Sequence, residues 1–265
     1  MNKEKNYKAA SSYEELILNY LCLNLKNKEF KIIFKYFVER NIKPTSKIVK
    51  FINLKKKDTI LDIGSGFVGN YKFYKKLGIG KITIVEIEKI FISKCKLILN
   101  KINLKVEFIQ KNFFYFSSKK KFDLIICSKF LNIYNKSKQK KTLEKITKIS
   151  NKYILITVIN KKSFTNYIFL ILAKFQFLRV VFYNLFKTIH FFKIFNFLII
   201  LNFNKSKILN IIFFLETLLS KKESVKRYIL KPNFYIDFLT KKKFKLLKLI
   251  SDGNIDFLIF KKINS

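Results

Sequence analysis

The stretch 59-TILDIGSGFVGN-70 begins as a strand and breaks into glycines. The chain has only six glycines in 265 residues. Three fall here, at Gly64, Gly66 and Gly69, and Gly78 and Gly80 follow soon after. A glycine-rich turn between a strand and a helix lets backbone approach a ligand closely and aims helix N–H groups at it. Gly64, Gly66 and Gly69 fit the spacing G-x-G-x-x-G, a weak signal alone, because dinucleotide enzymes use it too.

Outward from this turn, short apolar runs alternate with longer amphipathic ones. TILDI (59–63), KITIVEI (81–87), KVEFIQ (105–110), FDLIICS (122–128) and KYILITVI (152–159) have strand character. Residues 70–77, 89–101 and 137–150 have helical spacing. This alternation predicts a doubly wound α/β fold, a mostly parallel sheet with helices on both faces. Near the end, PNFYIDFLTKKKF (232–244) predicts a helix opened by Pro232. KLLKLI (245–250) and IDFLIF (255–260) predict two strands joined by SDGN, a hairpin signal.

Two regions depart from the alternation. Residues 1–57 predict helices: Ser12 with Glu15 fits a capping box, 28–40 is amphipathic, and Pro44 suits a third first turn. Residues 161–227 are dense in Phe, Ile and Leu and predict a helical apolar insertion. The organisation expected is an N-terminal helical segment, 1–57, and one domain over 58–265 interrupted by 161–227.

Three features sharpen the glycine signal. Asp62 stands two residues before Gly64, giving D-x-G-x-G. Glu86 ends the next strand, 22 residues after Gly64, where a carboxylate can accept both hydroxyls of a ribose. The fourth strand starts with Asp123, expected to be structural, and ends in small polar residues.

With these residues the chain resembles the class I S-adenosylmethionine-dependent methyltransferases, of the broad small-molecule type labelled methyltransferase domain 11 or 25. The resemblance is good over 58–160 and weaker over 228–260. It implies a Rossmann-like seven-stranded sheet with an antiparallel last strand, and S-adenosyl-L-methionine as cofactor. It puts Gly64, Ser65 and Gly66 beside the methionine part of that cofactor and Asp62 near its amino group. Glu86 and Ile87 fall to the ribose and its surroundings, and Asn112 and Phe113 to adenine, Asn112 standing where the family often has an acid. Ser128 and Lys129 lie near the methyl donor. The family's usual histidine in the following helix is replaced by Asn132, so a role assumed for that histidine does not carry over directly. A nicotinamide dehydrogenase is the competing reading of the glycines, and Asp62 with the single-domain length speaks against it.

The acceptor is harder to read. The sequence CSKFLN after the fourth strand lacks the D/N-P-P-Y/F/W motif of amide-directed methyltransferases. Cys127 lacks the Pro-Cys setting of cytosine-C5 enzymes and reads as a strand residue. The only histidine, His190, lies in the insertion and reads as packing or surface. The longest charge-free runs there are 163–173 and 194–204. Both are shorter than the roughly 20 residues a bilayer span requires. A longer span would bury Lys174 or Lys193 at about 2.5–3.5 kcal/mol if central. The insertion is therefore expected to be a lid over the acceptor site, with helices lying in a membrane interface as the alternative. The acceptor expected is small and apolar, or lipid-linked.

Composition bears on partners. The net charge is +38, from 55 Lys and Arg against 17 Asp and Glu. Such a charge attracts nucleic acid or an anionic membrane. Only three basic residues are arginine, Arg40, Arg179 and Arg227. Arginine is the better residue for bidentate recognition of phosphates and bases. The richness in Lys, Asn, Ile and Phe matches a coding bias towards A and T. RNA methylation stands as the alternative function, and a basic patch focused on the pocket would favour it over evenly spread lysine. A binder that has lost the cofactor is a third reading, opposed by Gly64, Gly66 and Glu86. Cys22, Cys95 and Cys127 have no zinc spacing and fit a reducing compartment. The N-terminus has no secretory h-region, so the location expected is cytoplasmic, with peripheral membrane attachment as the variant.

Overall fold

A computed structural model describes residues 47–65, 70–128, 130–159, 230–252 and 255–263. The helices expected before residue 47 and the insertion 161–227, with Lys174, His190 and Lys193, lie outside the described residues. So do Gly66, Gly69 and Lys129.

The opening stretch forms β1 (Thr59–Ile63), and α1 (Tyr71–Leu77) follows the glycine turn. Then come β2 (Lys81–Glu86), α2 (Lys89–Lys101), β3 (Glu107–Gln110) and β4 (Phe122–Ser128). A long helix, α3 (Lys136–Ile149), runs into β5 (Ser150–Ile159). The chain closes with α4 (Pro232–Thr240), β6 (Phe244–Asp252) and β7 (Ile255–Lys262). The seven strands form one sheet in the order β3-β2-β1-β4-β5-β7-β6. Strands β1 to β5 pair in parallel, and β7 runs antiparallel to both β5 and β6. This is the doubly wound fold the alternation predicts.

Both faces of the sheet are covered, so its strands are apolar at nearly every position rather than at alternate ones. Ile60, Ile82, Ile84, Leu124 and Ile126 face one side, where Tyr74, Phe91, Cys95 and Ile98 of α1 and α2 pack. Ile48 and Ile52, before β1, join this layer. Leu61, Ile63, Val85, Ile125 and Cys127 face the other, against Leu143 and Ile146 of α3 and Tyr235 and Leu239 of α4. Each fully buried aliphatic chain contributes about 1.5–3 kcal/mol relative to exposure.

Two boundaries differ from expectation. The helix from Pro232 ends at Thr240, and Lys243 takes a left-handed φ of 64° that turns the chain into β6. Lysine is a good helix former, so KKKF gives no stop signal; the chain turns because Phe244 is buried in the core opposite Lys262. Strand β3 starts at Glu107, later than expected, after Asn103 (φ 52°) leads the chain out of α2. The SDGN hairpin is as expected: Asp252 pairs with Ile255, leaving two residues to close the turn.

Sheet order reverses between β1 and β4. At such a switch point the connections leave to opposite sides and open a crevice beyond the strands' carboxyl ends, where ligands bind in open α/β sheets.

Candidate functional site

Asp62 is the fourth residue of β1 and fully buried at the lip of that crevice. Its Oδ2 accepts a hydrogen bond from Asn70 Nδ2 at 3.0 Å and another from the Tyr74 hydroxyl. Its Oδ1 has no partner. Burial raises its pKa to about 6 against those two bonds, and the charge of Glu86 adds to the rise. Burial and the Asp62 charge likewise push the Tyr74 hydroxyl well above its ordinary value, so Tyr74 keeps its hydrogen and donates it. Among the described residues, both hydrogen bonds to Asp62 come from side chains.

Gly64 follows with φ 60°, in the left-handed region, and its N–H donates to Val85 O at 2.9 Å. A Cβ here would lie 2.5 Å from Phe130 Cδ2. Glycine is thus required both by backbone angle and by the ring above it. Phe130 sits in a 3-10 turn, Phe130–Ile133, directly after β4. Its ring meets Phe113 edge-on at 6.0 Å and Tyr134 at 5.1 Å, and Tyr134 meets Phe114 at 4.9 Å. Phe114, Phe130 and Tyr134 are each half-buried, an aromatic wall on the crevice side of β4.

Glu86 ends β2, one strand from Asp62, and is buried. Its Oε1 accepts from the backbone N–H of Ile87 at 2.8 Å and of Glu88 at 3.2 Å, which fixes the carboxylate's orientation. Ile87 beside it is 40% exposed, an apolar side chain without cover. Beyond β3, Asn112 uses its Oδ1 to accept from Phe114 N at 3.0 Å, capping a 3-10 turn, Phe113–Tyr115. Phe113 itself points into the core at 3% exposure, with the Lys145 ammonium 5.1 Å from its ring centre. Its ring is therefore a core group, packed behind Phe130.

Ser128, at the end of β4, shares a hydrogen bond with Thr157 of β5 at 3.1 Å. Asn132 is 1% exposed, and neither atom of its amide has a partner. Asp123, at the other end of β4, accepts from Thr59 N and Asn151 Nδ2 and lies 3.2 Å from Lys152 Nζ; it ties strand starts together, as expected. Cys127 is buried in the sheet, its thiol pKa pushed well up by burial, which keeps it unreactive.

Sequence reasoning missed Asn70, Tyr74, Phe130 and Thr157. Asn70 and Tyr74 carried a usable signal. They stand one helical turn apart, so both face back towards Asp62.

Residues 54–179 match a family model described as a methyltransferase domain. No curated protein matches the chain. Among solved structures, magnesium protoporphyrin IX methyltransferase from Synechocystis PCC 6803 with bound SAH superposes with a TM-score of 0.56 at 10% identity, over 96% of each chain. An rRNA methylase from Escherichia coli superposes at 0.56 and 9% identity, over 97% of this chain and 80% of that one. N-methyltransferase NodS from Bradyrhizobium japonicum, with S-adenosyl-L-homocysteine, gives 0.50 at 10%, over 94% and 99%. At these identities the likeness is one of fold. The family match over residues 54–179 and the shared fold together mark a methyltransferase domain.

Proposed function

We propose that this S-adenosylmethionine-dependent methyltransferase moves a methyl group to a small acceptor that is apolar or lipid-linked. The residues at the crevice fit the cofactor. The unpaired, buried Oδ1 of Asp62 is the observation that carries this reading. An anionic oxygen left bare inside a protein costs about 1–3 kcal/mol or more unless a ligand donor meets it, and an amino acid's ammonium group is such a donor. Gly64 offers close approach, and the family resemblance adds Ser65 and Gly66 beside the methionine part. Glu86 accepts the ribose hydroxyls, and Ile87 covers an adenine face. Asn112 has its Oδ1 engaged, so Nδ2 is the group it turns to adenine. Bound S-adenosylmethionine supplies an electrophilic methyl group. The protein binds, orients and excludes water. Ser128, at the end of β4, stands on the methyl-donor side, and the family resemblance assigns Lys129 there too.

The aromatic wall of Phe114, Phe130 and Tyr134 supports an apolar acceptor body. The Phe- and Ile-rich residues 161–227 support it too, as a lid within a domain spanning 58–265, or as a membrane-interface element of a cytoplasmic protein. No helix among the described residues is long and apolar enough to cross a membrane. RNA methylation is the second reading, favoured by the charge of +38. Against it, exposed lysines occur on both faces of the sheet, Lys75 and Lys96 on one and Lys140 and Lys141 on the other.

Calorimetry with S-adenosylmethionine and S-adenosylhomocysteine tests the cofactor, followed by transfer of labelled methyl to lipid and RNA extracts. Micromolar binding with label in the lipid fraction is the expected result. Label in RNA alone would move the function to the second reading, and no binding by folded protein would end both.

A further inference from the structure

Among the described residues, three buried side-chain polar atoms lack a hydrogen-bond partner: Asp62 Oδ1 and the Nδ2 and Oδ1 of Asn132. Asp62 lies within β1 and Asn132 four residues beyond the end of β4, and these two strands are neighbours, paired from Ile60 with Leu124 to Asp62 with Ile126. Elsewhere the chain satisfies a buried amide with care. Gln139, seven positions after Asn132, is fully buried. Its Nε2 donates to Tyr134 O at 2.8 Å, and its Oε1 accepts from the Tyr235 hydroxyl at 2.7 Å. An amide bare at both ends is therefore not this fold's habit. Such a group in a native protein calls for an explanation such as a missing ligand.

Asn132 lies in the 3-10 turn whose first residue, Phe130, covers Gly64. Its neighbour Leu131 is fully buried core. The turn thus bridges the glycine turn and the start of α3. We propose that the Asn132 amide lies beside the methyl-transfer position and holds the acceptor's nucleophile, a neutral N–H or O–H group, by accepting its hydrogen at Oδ1. This rests on the methyltransferase reading above and adds to it the residue that orients the acceptor. A carboxamide accepts and donates hydrogen bonds but takes up no proton at neutral pH. Asn132 therefore orients the nucleophile without acting as its base. An uncharged amide also suits an uncharged acceptor group, with the acceptor's apolar body against Phe130 and Tyr134.

Two ligands test this without a known acceptor. S-adenosylhomocysteine has no group at the methyl position. Sinefungin, an analogue of the same nucleoside, carries a primary ammonium there. Their dissociation constants are measured by calorimetry for the wild type, Asn132→Leu and Asn132→Asp. Asn132→Leu is expected to weaken sinefungin about tenfold or more, the worth of one hydrogen bond to a charged group, and to leave S-adenosylhomocysteine within about twofold. Asn132→Asp keeps an accepting oxygen, so its sinefungin affinity should hold or improve relative to S-adenosylhomocysteine. If Asn132→Leu does not fold, that second variant decides. Equal shifts for both ligands, or no shift for sinefungin, would overturn the assignment. Wild-type protein that binds neither ligand overturns the methyltransferase reading itself, and this inference with it.

Discussion

Tyr74 donates its phenolic hydrogen to Oδ2 of Asp62, and both side chains are fully buried. The bond holds one carboxylate oxygen and leaves the other bare. Asp62 is held at about 6, up from 3.8. Between those values the folded protein keeps a proton that the unfolded chain has released. Stability from this group is full below the unfolded value and is lost as pH rises through about 6. For the ligand-free protein the loss amounts to about 3 kcal/mol by pH 8. Asn in place of Asp62 removes the titration. Urea melts at pH 5 and pH 8 should show wild type losing more stability than Asp62→Asn over that interval. Identical losses would mean Asp62 is already ionised at pH 5.

The same titration governs the ligand. An ammonium group favours the ionised carboxylate, so affinity for S-adenosylhomocysteine should rise through pH 6 and level off above about 7. Asp62→Asn should bind weakly at every pH, with the slope gone. A variant that retains the wild-type slope would assign the titration to another group.

Glu86 keeps its carboxylate oriented through Ile87 N and Glu88 N. Glu86→Gln retains an oxygen for those two donors but loses an accepting oxygen and the charge. Its melting temperature should stay near that of the wild type, while S-adenosylhomocysteine binds about ten- to a hundredfold more weakly. Adenosine and 2′,3′-dideoxyadenosine separate the contributions: wild type should prefer adenosine, and Glu86→Gln should hardly distinguish them. A preserved preference would take the ribose away from Glu86.

The strands were legible because both faces of the sheet are covered. That produces unbroken apolar runs such as FDLIICS, with β-branched residues and polar turns at the ends. The glycines and the two acids marked the crevice for the same local reason, since their spacing lies within one strand–turn–helix unit. What was not legible depends on separate segments meeting. Phe130 reaches Gly64 only when β4 lies beside β1. Tyr74 becomes part of the site only because α1 packs back over β1. Phe113 reads as an adenine neighbour by position, yet the 3-10 turn capped by Asn112 aims it inward. The end of α4 escaped because three lysines carry no stop signal, and burial of Phe244 overrode their helical preference.

Tyr235 ties α4 to α3. Its hydroxyl donates to Gln139 Oε1 at 2.7 Å inside the core, and burial pushes that hydroxyl's pKa well up, so it stays a donor. Tyr235→Phe should cost about 1–2 kcal/mol in urea unfolding. The bond joins α3 to α4, and neither helix carries a residue assigned to the cofactor, so S-adenosylhomocysteine affinity should stay within about twofold. A large loss of affinity at unchanged stability would show that α4 shapes the crevice.

Gly64 and Phe130 make a two-part constraint that can be taken apart. Alanine at position 64 meets a left-handed φ of 60°, a cost of about 1–2 kcal/mol that no neighbour can relieve. It also meets the Phe130 ring, with Cδ2 at 2.5 Å from the new Cβ. The ring is a side chain and removable. Phe130→Ala alone leaves a gap beside Phe113 and Tyr134 and should be destabilising. In the double variant the new methyl enters space the ring has vacated, so the two losses should sum to more than the loss observed. A coupling of about 1 kcal/mol or more is expected from a double-mutant cycle in urea. Strict additivity would mean that the ring swings clear at little cost, and that the backbone angle alone holds position 64 to glycine. S-adenosylhomocysteine binding separates stability from function in the same set. The double variant regains part of its fold but keeps a methyl group on the turn, so its affinity should remain well below that of Phe130→Ala.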